Sequence, residues 1–207
     1  WTGPFYGFER VLETYQLTDS PYRFKPIDIY FHAYLVSKTA GTNSLHKIYQ
    51  WALKQATFPI YSSEYIKKVL DFNQFVVART PQGYRFRGNG DLRTVRLASA
   101  TQTDFAQSPT VLGFNEHNQQ YYVHLAQSNA DIIEQEKATL SPYIESSNAT
   151  IKNFKRQNND LFFDIAGFQA IQLVLANTRQ CQLKQGNKVL KTRRQGSRLF
   201  LEDAAHE

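Results

Sequence analysis

Five histidines, one cysteine and eighteen carboxylates are the side chains from which this 207-residue chain could build a catalytic site. His32 stands in the most suggestive context. In the run Ile27-Asp28-Ile29-Tyr30-Phe31-His32 the alternation predicts a strand over Ile27–Leu35. Ile27, Ile29 and Phe31 would lie on one face, and Asp28, Tyr30, His32 and Tyr34 on the other. An imidazole at the C-terminal end of such a strand could protonate a leaving amine or orient an oxyanion. The alternative is a core histidine satisfied by a backbone carbonyl. His46 falls on the polar face of a predicted helix, His117 in an Asn115–Asn118 turn, and His124 within an alternating strand. None has a second histidine or carboxylate at metal-ligand spacing, so no metal site is predicted within the chain. Cys181, without a CxxC partner or nearby histidine, reads as a buried strand residue. P-loop, GxGxxG and GxSxG motifs are absent, and Gly88-Asn89-Gly90 reads as a hairpin turn, not a phosphate cradle. Asn148-Ala149-Thr150 fits a glycosylation sequon, a tripeptide common by chance.

The elements that must position these residues fall into two regions. Residues 1–75 read as α/β. A short amphipathic helix over Phe5–Tyr15 precedes loops at Ser20-Pro21 and Lys25-Pro26, then the strand carrying His32. After a loop at Gly41–Ser44 comes a helix with Leu45, Ile48, Tyr49, Ala52 and Leu53 on one face. A short strand over Phe58–Tyr61 and a helix capped by Ser62 or Ser63 complete the region. Strand, helix, strand, helix is the rhythm of a parallel barrel or sheet.

After Asn73 the rhythm changes to short strands punctuated by turns. They are predicted over 75–79, 84–87, 92–97, 111–114, 120–125, 139–144, 150–156, 160–166, 170–175, 180–183, 188–190 and 198–201. This pattern predicts a β-sandwich of jelly-roll or immunoglobulin-like kind over 76–207. Tyr121, Tyr122, Tyr143, Phe154, Phe162, Phe163 and Phe168 would mainly form its core.

Hydrophobic residues make up 42% of the chain and aromatics 14%, which excludes wholesale disorder. No apolar run reaches the roughly 18 residues of a membrane helix, and a single cysteine excludes an internal disulfide framework. The chain begins at Trp1 and contains no methionine, so it is expected to be a segment of a longer protein. The net charge of +6 invites a nucleic-acid reading, but the charge is uneven. Residues 151–201 hold ten Lys/Arg against two Asp, and residues 101–150 one Lys against six Asp/Glu. The basic excess sits on Lys184, Lys188, Lys191, Arg193, Arg194 and Arg198, around two turns, which fits a solvated hairpin face better than a polyanion groove.

Several ordered segments carry a resemblance. They are Trp1–Phe8, Ser20–Arg23, Lys25–His32, Phe58–Tyr65, Gly90–Leu97, Ser141–Ile144, Asn148–Ile151 and Gln180-Cys181. Together the chain resembles the C-terminal part of the PelA-type exopolysaccharide-modifying proteins of Gram-negative bacteria. The resemblance implies the last strands and helices of a distorted (β/α) polysaccharide deacetylase barrel over 1–75, followed by a jelly-roll-like β-sandwich over 76–207. It further implies a periplasmic location and an N-acetylated amino-sugar exopolysaccharide as substrate during biofilm matrix export. The implied partner is a tetratricopeptide-repeat outer-membrane export protein. Such deacetylases hold a divalent metal, expected to be zinc, through an Asp-His-His set and use an Asp as base. Those motifs are absent from residues 1–207. The late strand-end histidine, a general acid in the family, is matched by Phe31-His32. His32 is thus the expected catalytic residue, with Tyr30 and Asp28 as substrate-binding neighbours. The competing expectation is an accessory module that binds carbohydrate or a partner without chemistry.

Overall fold

In a computed structural model the described residues are 5–19, 25–97, 102–117, 119–137 and 141–202. The Ser20-Pro21 loop, Asn118 and the first residues of the strand predicted over 139–144 lie outside them, as do Trp1–Pro4 and Pro21–Arg23 of the resemblance. The chain is mixed α/β with antiparallel sheets and few helices, and it divides into two compact units between Thr57 and Phe58.

In the first unit a 3-10 helix, Phe5–Arg10, runs into α1, Val11–Leu17; a second 3-10 turn, Ala33–Ser37, precedes α2, Thr39–Leu53. Tyr15, Leu35, Leu45 and Ile48 are buried, and Tyr15 stacks on Trp51 with ring centroids 5.6 Å apart. The predicted strand over Ile27–Leu35 does not form. Residues 26–32 are extended but join no ladder among the described residues, and the chain coils at Ala33. The alternation nonetheless holds: Ile27, Ile29 and Phe31 are half-buried, whereas Asp28, Tyr30 and His32 are exposed. Tyr15 Oη donates to the Asp28 carbonyl at 2.5 Å, which ties this segment to α1. The Gly41–Ser44 segment, expected as a loop, lies within the first two turns of α2. A Cβ on Gly41 would collide with the Leu35 carbonyl, so glycine here permits close approach within a helix. Ser44 is buried and donates to Ala40 O at 2.9 Å, satisfying its hydroxyl inside the helix.

The second unit opens with α3, Ser62–Phe72. Its strands are β1 (Val76–Thr80), β2 (Gly83–Arg87), β3 (Thr94–Leu97), β4 (Val111–His117), β5 (Gln120–Leu125), β6 (Ala130–Ile133), β7 (Tyr143–Ser147), β8 (Thr150–Gln157), β9 (Asp160–Ala166), β10 (Gln172–Ala176), β11 (Lys184–Gln185), β12 (Lys188–Val189), β13 (Arg193–Gln195) and β14 (Arg198–Glu202). Sheet orders are β1-β2-β6, β3-β5-β4 and β13-β14-β10-β7, with β8-β9 and β11-β12 as separate hairpins. Every pairing among the described residues is antiparallel. Phe58–Tyr61 is not a strand; it is the extended approach to α3, whose first turn is closed by Glu64 Oε2 accepting from the Tyr61 N–H.

Two apolar cores result, an arrangement compatible with a sandwich. One gathers Phe86, Val95, Leu97, Phe105, Val111, Tyr121, Val123, Leu125 and Ile132. The other gathers Leu112, Ile144, Ile151, Ile171, Leu173, Leu175, Leu199 and Leu201. Successive residues of β4 serve different cores, Val111 the first and Leu112 the second, as side chains alternate across a strand. Gly113 follows, where a Cβ would strike the backbone carbonyl of Ile144 on β7. Gly113→Ala is therefore expected to destabilise the unit by about 1–3 kcal/mol, the usual range for overpacking. A denaturation midpoint unchanged from wild type would show that β4 and β7 do not approach so closely.

Candidate functional site

The extended segment 26–32 places Asp28, Tyr30 and His32 on one exposed face because alternate residues of extended chain point the same way. The 3-10 turn at Ala33 then swings Tyr34 back over the imidazole. The His32 and Tyr34 rings stack with centroids 5.2 Å apart and planes 11° apart, and Tyr30 meets His32 edge-on at 5.2 Å and 75°. Two backbone acceptors set this turn: Leu35 N–H donates to His32 O at 2.9 Å and Ser37 Oγ to Tyr34 O at 2.7 Å. Tyr30 is 71% and Tyr34 64% exposed, so an aromatic ledge faces solvent with a carboxylate, Asp28, on the same face.

His32 is exposed, which removes the core-histidine alternative. Of the residues singled out from the sequence, Tyr30 and His32 are in ring contact and Tyr34 joins them, while Asp28 is exposed two positions before Tyr30. Chemically the ledge offers flat π faces for the C–H side of a sugar ring, an imidazole able to carry a proton, and a carboxylate able to accept hydroxyl or amide hydrogens. Among the described residues no group of three His, Cys, Asp or Glu could hold a metal ion.

The remaining predicted residues sort differently. His46 is exposed on α2, and His117 ends β4 rather than sitting in a turn. His124 lies on β5 and is hydrogen-bonded through Nδ1 to the Thr94 hydroxyl. Cys181 is not in a strand; it is half-buried in the loop after β10, since Gln180–Leu183 pairs with no strand. The Asn148 side chain is occupied, donating to Ala170 O at 2.9 Å and accepting from Gln172 N at 2.8 Å. Tyr121 is buried and Tyr143, Phe154 and Phe163 half-buried, but Phe162 and Phe168 are exposed.

The basic strip is less uniform than its sequence. Arg198 pairs with Glu145 at 2.7 Å. Arg193 lies over the Phe200 ring at 4.4 Å. Arg194 anchors the loop after β10, donating to Thr178 O and to Cys181 O. Lys184, Lys188 and Lys191 are exposed, as are the three arginines.

One arrangement escaped sequence reading. Gly88-Asn89-Gly90 is not a hairpin turn, because β2 pairs with β1 and β6 while β3 pairs with β5. The loop instead wraps the carboxylate of Asp71, near the C-terminus of α3 and only 2% exposed. Asn89 N–H donates to Oδ1 at 2.6 Å, and Leu92 and Asp91 N–H donate to Oδ2 at 2.8 and 3.2 Å. Burial alone would raise the Asp71 pKa; hydrogen bonds from the backbone of Asn89, Leu92, Asp91 and Gly90 overcome it and hold the carboxyl below its ordinary value. Lys68, one turn earlier on α3, donates to Asp91 O at 2.6 Å. The loop is thus an anion nest filled by the protein itself.

No protein-family model, no curated protein sequence and no solved structure matches the chain.

Proposed function

We propose that this chain is the C-terminal, substrate-engaging region of a periplasmic polysaccharide deacetylase. It would act on an N-acetylated amino-sugar exopolysaccharide and combine the end of a distorted deacetylase barrel with a jelly-roll-like β-domain. The observation that carries the reading is the exposed Tyr30–His32–Tyr34 stack with Asp28 on the same face. A sugar ring packed on the Tyr30 or Tyr34 face would bring its substituents beside the imidazole. His32 then protonates the departing amine, and Asp28 hydrogen-bonds the neighbouring hydroxyl or amide. A divalent metal, when bound by residues elsewhere in the enzyme, supplies the activated water. Lys184, Lys188 and Lys191 suit an acidic face of the proposed tetratricopeptide-repeat export partner, with charge acting mainly on the association rate.

A second reading, an accessory carbohydrate-binding module without chemistry, draws on the same ledge, because stacking needs no proton transfer. Both require the ledge to bind sugar. Titrating an N-acetylglucosamine tetramer into the chain is expected to give saturable binding that weakens about fivefold in Tyr30→Ala and in Tyr34→Ala, as each aromatic contact contributes about 1 kcal/mol. Equal affinities in wild type and both variants would sink both readings.

A further inference from the structure

The β8–β9 hairpin presents two unlike faces. Phe154 of β8 and Leu161, Phe163 and Ile165 of β9 pack against the second core. The opposite face carries Phe162, which is 51% exposed and outside that core. The register sets its surroundings: Lys155 lies directly across from Phe162, Lys152 across from Asp164, and Gln157 across from Asp160. Cross-strand partners share a face, and so do residues two apart on one strand. A single aromatic ring therefore stands among polar side chains on the outer face.

A β-bulge completes the arrangement. Between Lys152 and Lys155 two residues of β8 oppose one of β9, and Asn153 takes a left-handed backbone with φ of 51°. Asparagine is among the few side chains that tolerate that conformation. Its Nδ2 donates to Asp164 Oδ2 at 2.6 Å, which draws the Asn153 amide onto the face that carries Phe162. Asn153, Lys155, Gln157, Phe162 and Asp164 border a shallow concavity of about 360 Å³, at the lower end of the range for ligand pockets. One flat apolar ring with amide, carboxylate and ammonium groups at its edge meets the needs of a pyranose, whose C–H face stacks while its hydroxyls bond the rim. The charges on this face cancel, because Lys152 and Lys155 are matched by Asp160 and Asp164. Neither a polyanion nor a polycation is favoured there.

We propose that the outer face of the β8–β9 hairpin is a second sugar subsite, which seats one uncharged N-acetylhexosamine ring on Phe162. Asn153, Gln157, Asp164 and Lys155 hydrogen-bond its hydroxyl and acetamide groups. The choice of sugar rests on the reading that this protein engages an N-acetylated amino-sugar polymer; the site itself is built wholly from the second unit and uses no residue of the ledge.

The side-chain amide resonances of Asn153 and Gln157 report on this face alone. In an isotope-labelled chain carrying Tyr30→Ala and Tyr34→Ala, which removes the ledge, the N-acetylglucosamine tetramer is expected to shift both resonances saturably. Adding Phe162→Ala should weaken that binding about fivefold, the usual effect of one lost aromatic contact, and leave the melting temperature nearly unchanged. Phe162→Trp keeps a flat ring and should bind at least as tightly as phenylalanine. If Phe162→Ala loses the fold by circular dichroism, Phe162→Leu keeps apolar bulk without the ring and should show the same loss of affinity. The proposal is overturned if the folded Phe162 variant binds the tetramer as tightly as its parent, or if a cationic glucosamine tetramer binds this face more tightly than the acetylated one. Resonances of Asn153 and Gln157 that stay fixed, while a chain with an intact ledge still binds the tetramer, would overturn the subsite and leave the ledge reading standing. No binding at either place would remove both.

Discussion

In a deacetylase containing this region, His32→Ala is expected to lower turnover by about 10²- to 10⁴-fold, the usual contribution of a general acid. The same variant should leave thermal stability nearly unchanged. The imidazole is exposed, its contacts are ring stacking with Tyr30 and Tyr34, and the hydrogen bond from Leu35 uses the His32 backbone carbonyl, which alanine retains. Oligosaccharide affinity should fall only modestly, because both tyrosines remain. The informative comparison is turnover, melting temperature and binding on one preparation. Turnover that holds while binding weakens would make the ledge a docking surface alone, the accessory reading. A melting temperature that falls in step with turnover would instead make His32 a structural residue.

A second large effect is expected far from the ledge. Asp71→Asn keeps the side-chain shape but replaces a charged acceptor by an amide, one end of which is a donor facing backbone N–H groups. Leaving buried donors unsatisfied costs about 1–3 kcal/mol each, so a loss of about 3–4 kcal/mol is expected. For a unit of this size that is about 8–15 °C in melting temperature. The pH dependence carries its own signature. The folded-state pKa of Asp71 lies below the ordinary 3.8, so its stabilisation is present in full above that value and is lost as pH falls through it. The gap between wild type and Asp71→Asn should therefore narrow below about pH 4. A constant gap from pH 7 to pH 3 would show that the charge on Asp71 contributes nothing.

Local pattern made much of this molecule legible. Strands such as β2, β5, β8 and β9 lie where turn residues and alternation place them, because antiparallel neighbours joined by short turns are specified locally. Pattern failed where a partner decides. Ile27–Phe31 alternates like a strand and buries the expected face, yet a strand also requires a neighbour to bond, and the described residues supply none. β6 was missed because Ala130–Ile133 is four residues long, includes Asp131 and follows a polar Ser-Asn; its place is fixed by pairing with β2, more than forty residues earlier. β13, Arg193–Gln195, is wholly charged or polar and exists as the edge partner of β14. Of the candidate site, Asp28, Tyr30 and His32 were legible because period-two spacing survives in an extended chain. The stacking of Tyr34 over His32 was not, since it depends on a 3-10 turn that the strand reading excluded. The Asp71 nest left no sequence signal beyond a glycine-bracketed asparagine, since an internal carboxylate can fill a nest eighteen or more residues away as well as an external phosphate can.

That internal filling also decides what can be cut from the chain and moved. A break at residue 75, where the sequence changes rhythm, would strip from the β-domain the carboxylate around which its 88–92 loop is folded, leaving backbone donors pointing into a vacated hole. The portable piece, whether for grafting onto another protein or for exchange by recombination, starts at Phe58. The helix that looks like the tail of the preceding module travels with the strands as their keystone.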